Sequence, residues 1–190
     1  AMSAAAAARK AEQRRHWRRQ RKQAMAQVAV DLTAAVHDGL NQLQRPGRLG
    51  LFWPLGAEAR LLDPAPSWPG GLALPRTEAS GLVYVPWQPG AALTGDHCSI
   101  PAPGGMALAP EQLGLLLVPA LACSSDGMRL GSGGGWYDRL RAQPAWRAVP
   151  ALMVLPQCCS NVPLAVDPWD VPFSGWITEQ GMELLAPLEC

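Results

Sequence analysis

The chain has 190 residues, 48% of them apolar and 16% charged, with a formal net charge of +1. This suits one globular domain over residues 1–190 with its own core. The 19 glycines and 19 prolines are scattered, which excludes a low-complexity chain, and no apolar run reaches the roughly 18 residues of a membrane helix.

From Ala4 to about Leu43 the pattern is helical, with Trp17, Val28, Leu32, Val36 and Leu40 set among polar residues and alanines. Pro46 and Gly47 stop it. The stretch 48–55, "RLGLFWPL", reads as a buried strand ended by Pro54, and a short helix is expected around Glu58–Leu62. Two short strands follow at 71–76 and 81–86, then an irregular segment between Gly90 and Pro110. The run 113–122, "LGLLLVPALA", is the most apolar in the chain and predicts a central strand buried on both faces. A glycine loop and a helix beginning "WYDRLRAQPAW", cut by Pro144, come next, then strands at 151–156 and 174–179. Strands alternating with helical segments predict an α/β fold, a three-layer α/β/α sandwich around a mostly parallel sheet.

Charge is unevenly spread. Residues 9–22 hold eight of the 16 Lys and Arg and one acid, Glu12. Such a basic arm can be a solvated helix face, a contact to a phosphate-bearing ligand, or a nucleic-acid or targeting segment. It lacks the apolar core of a secretory signal, although its Ala- and Arg-rich start is like that of an organellar transit peptide. The five cysteines (Cys98, Cys123, Cys158, Cys159, Cys190) form no CxxC, and the three histidines are far apart. Zinc spacing is therefore missing, and free thiols in a reducing cytoplasm are expected.

The stretch "RLGSGGGWYDRL" (129–140) packs four glycines into five positions, 131–135. It follows the central strand and precedes a helix, where open α/β sheets bind ligands and where free backbone N–H groups receive anions. The common nucleotide motifs nonetheless fail. GxGxxG would need glycine at Trp136, and no lysine follows the glycines as a P-loop requires. Either a ligand-free turn or a different phosphate cradle remains. Arg129, Tyr137, Asp138 and Arg139 favour the cradle, and a carboxylate beside phosphate calls for a cation such as Mg²⁺.

The segment "VPALACSSDGMRLGSGGGWYDRL" (118–140) resembles the signature of the 5-formyltetrahydrofolate cyclo-ligase family. The resemblance extends to Lys10 and Arg14 in the basic arm, "LFWPLGAE" (51–58), "LALPR" (72–76), "SIPAP" (99–103) and "VPLAVDPWDVPFSGWITE" (162–179). It implies an ATP-dependent cyclisation of 5-formyltetrahydrofolate to 5,10-methenyltetrahydrofolate, releasing ADP and phosphate. By the same resemblance Arg129 and the backbone of Leu130, Gly131, Ser132, Gly133, Gly134 and Gly135 hold the ATP phosphates. Lys10 and Arg14, four apart on one helix face, reach the nucleotide from the helix 9–43. Trp136 and Tyr137 close the pocket where nucleotide and folate meet, with Gly133, Gly134, Gly135 and Trp136 also touching the folate. Glu58 accepts hydrogen bonds from the folate ring, Trp53 forms an apolar wall, and Asp138 and Asp170 bind Mg²⁺. The expected enzyme is cytoplasmic and monomeric, with no nucleic-acid or membrane partner.

Plainer roles exist for several of these residues. Glu58 can be a helix-start carboxylate, Asp170 a turn residue and Trp53 part of the core. The chain also departs from the family pattern at Ala102, Cys123, Ser124, Trp136, Trp169 and Ser174. The phosphate-side residues are intact, whereas the folate side has drifted. A divergent member acting on another formylated or ATP-activated small molecule is the alternative, and a nucleic-acid-binding module a more distant one.

Overall fold

The computed structural model describes residues 3–43 and 45–188; Cys190 lies outside the described residues. Helix α1 spans Ala4–Gln42 and starts where the Ser3 hydroxyl oxygen accepts the Ala6 N–H at 3.1 Å. Its buried residues are Arg21, Met25, Leu32, Val36, Gly39 and Leu40, spaced by threes, fours and sevens, so one stripe faces the protein. Leu43 turns extended and donates its N–H to the Leu40 carbonyl at 3.1 Å, ending the helix before Pro46.

The strands are β1 (Arg48–Gly50), β2 (Leu72–Glu78), β3 (Gly81–Trp87), β4 (Leu93–Gly95), β5 (Pro101–Pro103), β6 (Leu113–Pro119), β7 (Ala122–Cys123), β8 (Arg129–Leu130), β9 (Ala151–Val154), β10 (Gly175–Thr178) and β11 (Gly181–Leu184). Seven of them form one sheet in the order β11-β10-β9-β6-β1-β2-β3. Neighbours from β10 to β2 run parallel, and antiparallel hairpins close both edges, β10–β11 and β2–β3. Every residue of β6 is buried, because it lies mid-sheet with both faces covered. Leu115 and Leu117 pack with Leu32 and Val36 of α1. Leu116 and Val118 pack on the other face with Leu140 of α2 (Trp136–Ala142) and Trp146 of α3 (Pro144–Arg147). The expected three layers follow from this alternation.

Several element boundaries differ from expectation. The strand expected at 48–55 stops at Gly50, although the Leu51 N–H still reaches the Ala73 carbonyl at 2.9 Å and Leu51 and Phe52 stay buried. Residues 58–62 form no helix: a turn in which the Glu58 N–H bonds to the Leu55 carbonyl takes their place. Seven residues between Gly56 and Pro64 are too few to nucleate a helix without tertiary support. The irregular segment 90–110 contains the β4–β5 pair, and the central strand ends at Pro119 rather than 122. The β7–β8 pair and the edge strand β11 were not foreseen.

Candidate active site

A cavity of about 310 Å³ opens at the carboxyl ends of the parallel strands. The segment after β1 supplies Trp53, Leu55 and Glu58; the stretch after β6 supplies Ala120 and Leu121. Thr77 of β2, Leu82 of β3, and Asp96, Cys98 and Ile100 between β4 and β5 form a second side. Helix α1 contributes Arg14 and Arg21, and residues 131–138 form the rim.

The glycine loop is held from outside by arginines. Arg14 Nε donates to the Gly131 carbonyl at 3.2 Å, Arg18 Nη2 to that of Ser132 at 3.3 Å, and Arg139 Nη1 to that of Gly134 at 2.9 Å. A trans peptide carries its N–H opposite its C=O, so the N–H groups of Ser132, Gly133 and Gly135 face away from these contacts. Two positions need glycine: Gly133 has φ +113° and Gly135 has φ +71° where the chain enters α2.

Arg129 is held in the cavity wall from three sides. Its Nε donates to the Pro119 carbonyl at 2.7 Å, its Nη1 lies 3.6 Å from Asp138 Oδ1, and its guanidinium carbon sits 5.2 Å from the Tyr137 ring centre. Arg139 stacks over Trp136 at 4.9 Å. Arginines therefore gather on the loop side, where Asp138, at the start of α2, is the exposed acid.

The opposite side carries carboxylates. Asp96 is already engaged: its oxygens accept N–H groups of Thr77 at 2.8 Å, Cys98 at 2.9 Å and Ile100 at 3.0 Å. Burial works against its charge, yet these bonds outweigh burial and hold its pKa below the usual aspartate value. Glu58 is less constrained, with one oxygen 3.4 Å from the Leu55 N–H. Burial raises its carboxyl, and Arg21, the Leu55 N–H and Arg129 pull it back. Burial together with the Glu58 charge pushes the Tyr137 hydroxyl well up, so it stays a neutral donor.

Lys10 and Asp170 lie together, beyond the residues that line the cavity. Lys10 Nζ is bound to Asp167 and stands 3.4 Å from Asp170 Oδ2. Asp170 also accepts the Asp167 N–H at 2.7 Å, and Gln13 accepts the Ala165 N–H at 3.2 Å, so the arm clasps the segment 165–170. Burial opposes the Lys10 charge, but the two carboxylates prevail and raise its pKa. Arg141 fixes the adjoining residues: it donates to the Val171 and Pro172 carbonyls at 3.4 and 3.2 Å and lies 3.9 Å from the Phe173 ring centre. Burial lowers its pKa to about 10.

The cavity thus joins Arg14, Trp53, Glu58, Arg129, the loop 131–135, Trp136, Tyr137 and Asp138, whereas Lys10 and Asp170 stand outside its wall. Leu130 is buried beneath the loop, paired through β8 with Ala122. No cluster of three or more His, Cys, Asp or Glu side chains could hold a metal among the described residues. Sequence reasoning missed Arg21, Thr77, Asp96, Cys98 and Ile100. Arg21 could have been found, since it lies seven residues after Arg14 and hence on the same helix face; the others come together only through the β2–β3 and β4–β5 hairpins.

Fold and site together define an α/β protein with an arginine-braced glycine loop over a cavity at the strand ends. Its fold is shared with a 5,10-methenyltetrahydrofolate synthetase from Aquifex aeolicus, at TM-score 0.74 and 23% identity over 95% of each chain. A second protein of that activity, from Mycoplasma pneumoniae, aligns at TM-score 0.66 and 17% identity over 90% of this chain and 98% of its own. No curated protein sequence matches the chain. The chain belongs to the 5-formyltetrahydrofolate cyclo-ligase family, whose model matches residues 6–179. It is a cyclo-ligase of folate one-carbon metabolism, and ATP is the co-substrate that this family's reaction implies. No helix among the described residues is long and apolar enough to cross a membrane.

Proposed function

We propose that the cavity binds the ATP phosphates on its glycine-loop side and reduced folate on its Trp53–Glu58 side. The observation that carries this division is the clustering of cations on the glycine loop, where Arg14, Arg18 and Arg139 donate to its carbonyls, while Trp53 and Glu58 enter the cavity from the segment after β1. The formyl oxygen of 5-formyltetrahydrofolate attacks the γ-phosphorus as the bond to ADP breaks. The neighbouring folate nitrogen then closes on the activated carbon, phosphate departs, and 5,10-methenyltetrahydrofolate remains. Little covalent work falls to the protein, so positioning and charge neutralisation carry the phosphoryl step.

Arg129 serves that step because its buried stem and the Pro119 carbonyl fix it before substrate arrives. The N–H groups of Ser132, Gly133 and Gly135 bind phosphate oxygens, and Gly133, Gly134, Gly135 and Trp136 border both substrates. Trp136 and Tyr137 exclude water from the reacting oxygen, Trp53 lies against the pterin, and Glu58 accepts its N–H groups. Lys10 and Arg14 complete the nucleotide side from α1, Lys10 by leaving Asp167 and Asp170 when triphosphate arrives.

The donor set suits Mg²⁺, which binds through one or two carboxylates plus substrate phosphates. Asp138 is the exposed carboxylate at the loop, and Asp170 would join it as Lys10 turns to the nucleotide. Mg²⁺ bound there would offset the negative charge of the triphosphate. The reading extends to a monomer and to a reducing cytoplasm, in which Cys98, Cys123, Cys158 and Cys159 stay free.

Among the departures from the family pattern, Ala102 is buried in β5 and does not line the cavity, whereas Trp136 does. The substitution that touches substrate keeps an aromatic face and loses a hydroxyl. Formylfolate with Mg-ATP is expected to give the ultraviolet absorbance of methenyltetrahydrofolate with stoichiometric ADP. ADP release with a different formylated compound, and none with formylfolate, would overturn the substrate assignment.

A further inference from the structure

Cys158 and Cys159 are neighbours in sequence, and their sulfurs lie 3.8 Å apart. Neither lines the cavity. Cys158 is exposed, whereas Cys159 is 0% exposed and belongs to the apolar cluster that holds Met153, Leu155 and Trp176. The backbone that carries them is fixed. It forms a single 3₁₀ turn, Gln157–Cys159, in which the Cys159 N–H bonds to the Pro156 carbonyl at 3.0 Å. The Gln157 N–H donates to Glu179 Oε1 at 2.6 Å, and the Thr178 hydroxyl donates to Gln157 Oε1 at 2.7 Å. The Gln157 carbonyl accepts the Ser160 hydroxyl at 2.7 Å. Two thiols are thus held side by side before any reagent arrives.

Geometry limits what such a pair can take. A disulfide prefers Cα atoms roughly 4.4–6.8 Å apart, whereas adjacent residues joined by a trans peptide hold theirs at about 3.8 Å. Joining the two sulfurs directly would therefore distort the turn. A metal ion needs more donors, four for structural zinc, and no group of three or more His, Cys, Asp or Glu offers them among the described residues. What fits is a soft centre that bonds two sulfurs and asks for no further protein ligand. Trivalent arsenic bearing one organic group is such a centre. We propose that Cys158 and Cys159 form a dithiol site that captures trivalent organoarsenicals, R–As=O. The exposed Cys158 sulfur adds to arsenic, and its proton passes to the oxygen. The Cys159 sulfur then displaces the hydroxyl, which leaves as water with the Cys159 proton. Two As–S bonds replace As=O, and arsenic stays trivalent. Burial raises the Cys159 pKa to about 12, so this thiol stays protonated and follows Cys158.

The test uses phenylarsine oxide on the folded full-length chain carrying Cys98→Ser and Cys190→Ser, which leaves the buried Cys123 and the pair. Intact mass should show one phenylarsenic group added with loss of one water. The adduct should survive excess 2-mercaptoethanol, a monothiol, and be removed by 1,2-ethanedithiol. Cys158→Ser in that background should weaken binding by at least about a hundredfold, because a second bond within one molecule commonly adds that much. Alkylation of the adduct after unfolding should label Cys123 and spare Cys158 and Cys159, which decides the matter if a Cys159→Ala variant does not fold. An adduct lost to the monothiol, a smaller effect of Cys158→Ser, or labelling of either Cys158 or Cys159 would overturn the proposal.

Discussion

Arg129 touches Pro119, Asp138 and Tyr137 together, so its position is set before any substrate binds. Removing one preorganised donor from a developing charge commonly costs about a hundred- to a thousandfold in rate. Arg129→Ala is therefore expected to lose at least a hundredfold in turnover, with circular dichroism confirming a retained fold; a loss under tenfold would remove Arg129 from the phosphoryl step. Asp96 sits on the other side and works differently. Its folded pKa is depressed, so its contribution to stability is complete above the unfolded value, about 3.9, and disappears as pH falls through the lower folded value. Asp96→Ala should lower the melting temperature by about 2–4 °C at pH 7, from roughly 1 kcal/mol of hydrogen bonding. The gap between variant and wild type should close toward pH 2. A gap that stays constant with pH would show that packing, not charge, is what Asp96 supplies. Arg129 and Asp138 were legible because they flank a glycine cluster in a chain otherwise sparing of charge. Asp96 was not, because its acceptors are satisfied by backbone from β2 and its own turn, which no local pattern announces.

At the scale of elements, the glycine loop is a braced surface more than a free hinge. Arginines from α1 and α2 hold its carbonyls, and Gly133 sits at φ +113°. Gly133→Ala should strain that backbone by about 1–3 kcal/mol. Because the loop lies at the exposed rim, the expected result is a raised KM for ATP with a melting temperature lowered by about 2–12 °C and the melt still cooperative. An unaltered ATP KM would mean that the loop does not touch the nucleotide. Helix α1 and strand β6 were readable in advance for the same reason, namely length with a consistent apolar pattern. The pairs β4–β5 and β7–β8 were not, since strands of two or three residues carry no periodicity and form through tertiary pairing. The helix expected near Glu58 failed because its polar and apolar residues answer to the cavity and the α1-side core: Ala59 and Leu61 are buried in that core while Glu58 lines the pocket.

The molecule as a whole is a parallel sheet closed at both edges by hairpins and covered on each face. Alternation of strands and helical segments foretold the class, but strand order could not be read, because nothing local tells β9 to insert between β6 and β10. Helix α1 ties site to core. Leu32, Val36 and Leu40 lock its later half into the packed interior, while Lys10, Arg14, Arg18 and Arg21 face the loops and the cavity. The helix repeat thereby becomes a rule about insertions and deletions. One alanine inserted after Lys22 would rotate everything before it by about 100° and advance it by about 1.5 Å, turning Arg14 and Arg18 off the loop carbonyls. Such a protein should keep a cooperative melt and lose activity more severely than any single substitution in the arm. Length changes in this half of the chain are best tolerated ahead of Lys10, the first residue of the arm that bonds to the segment 165–170.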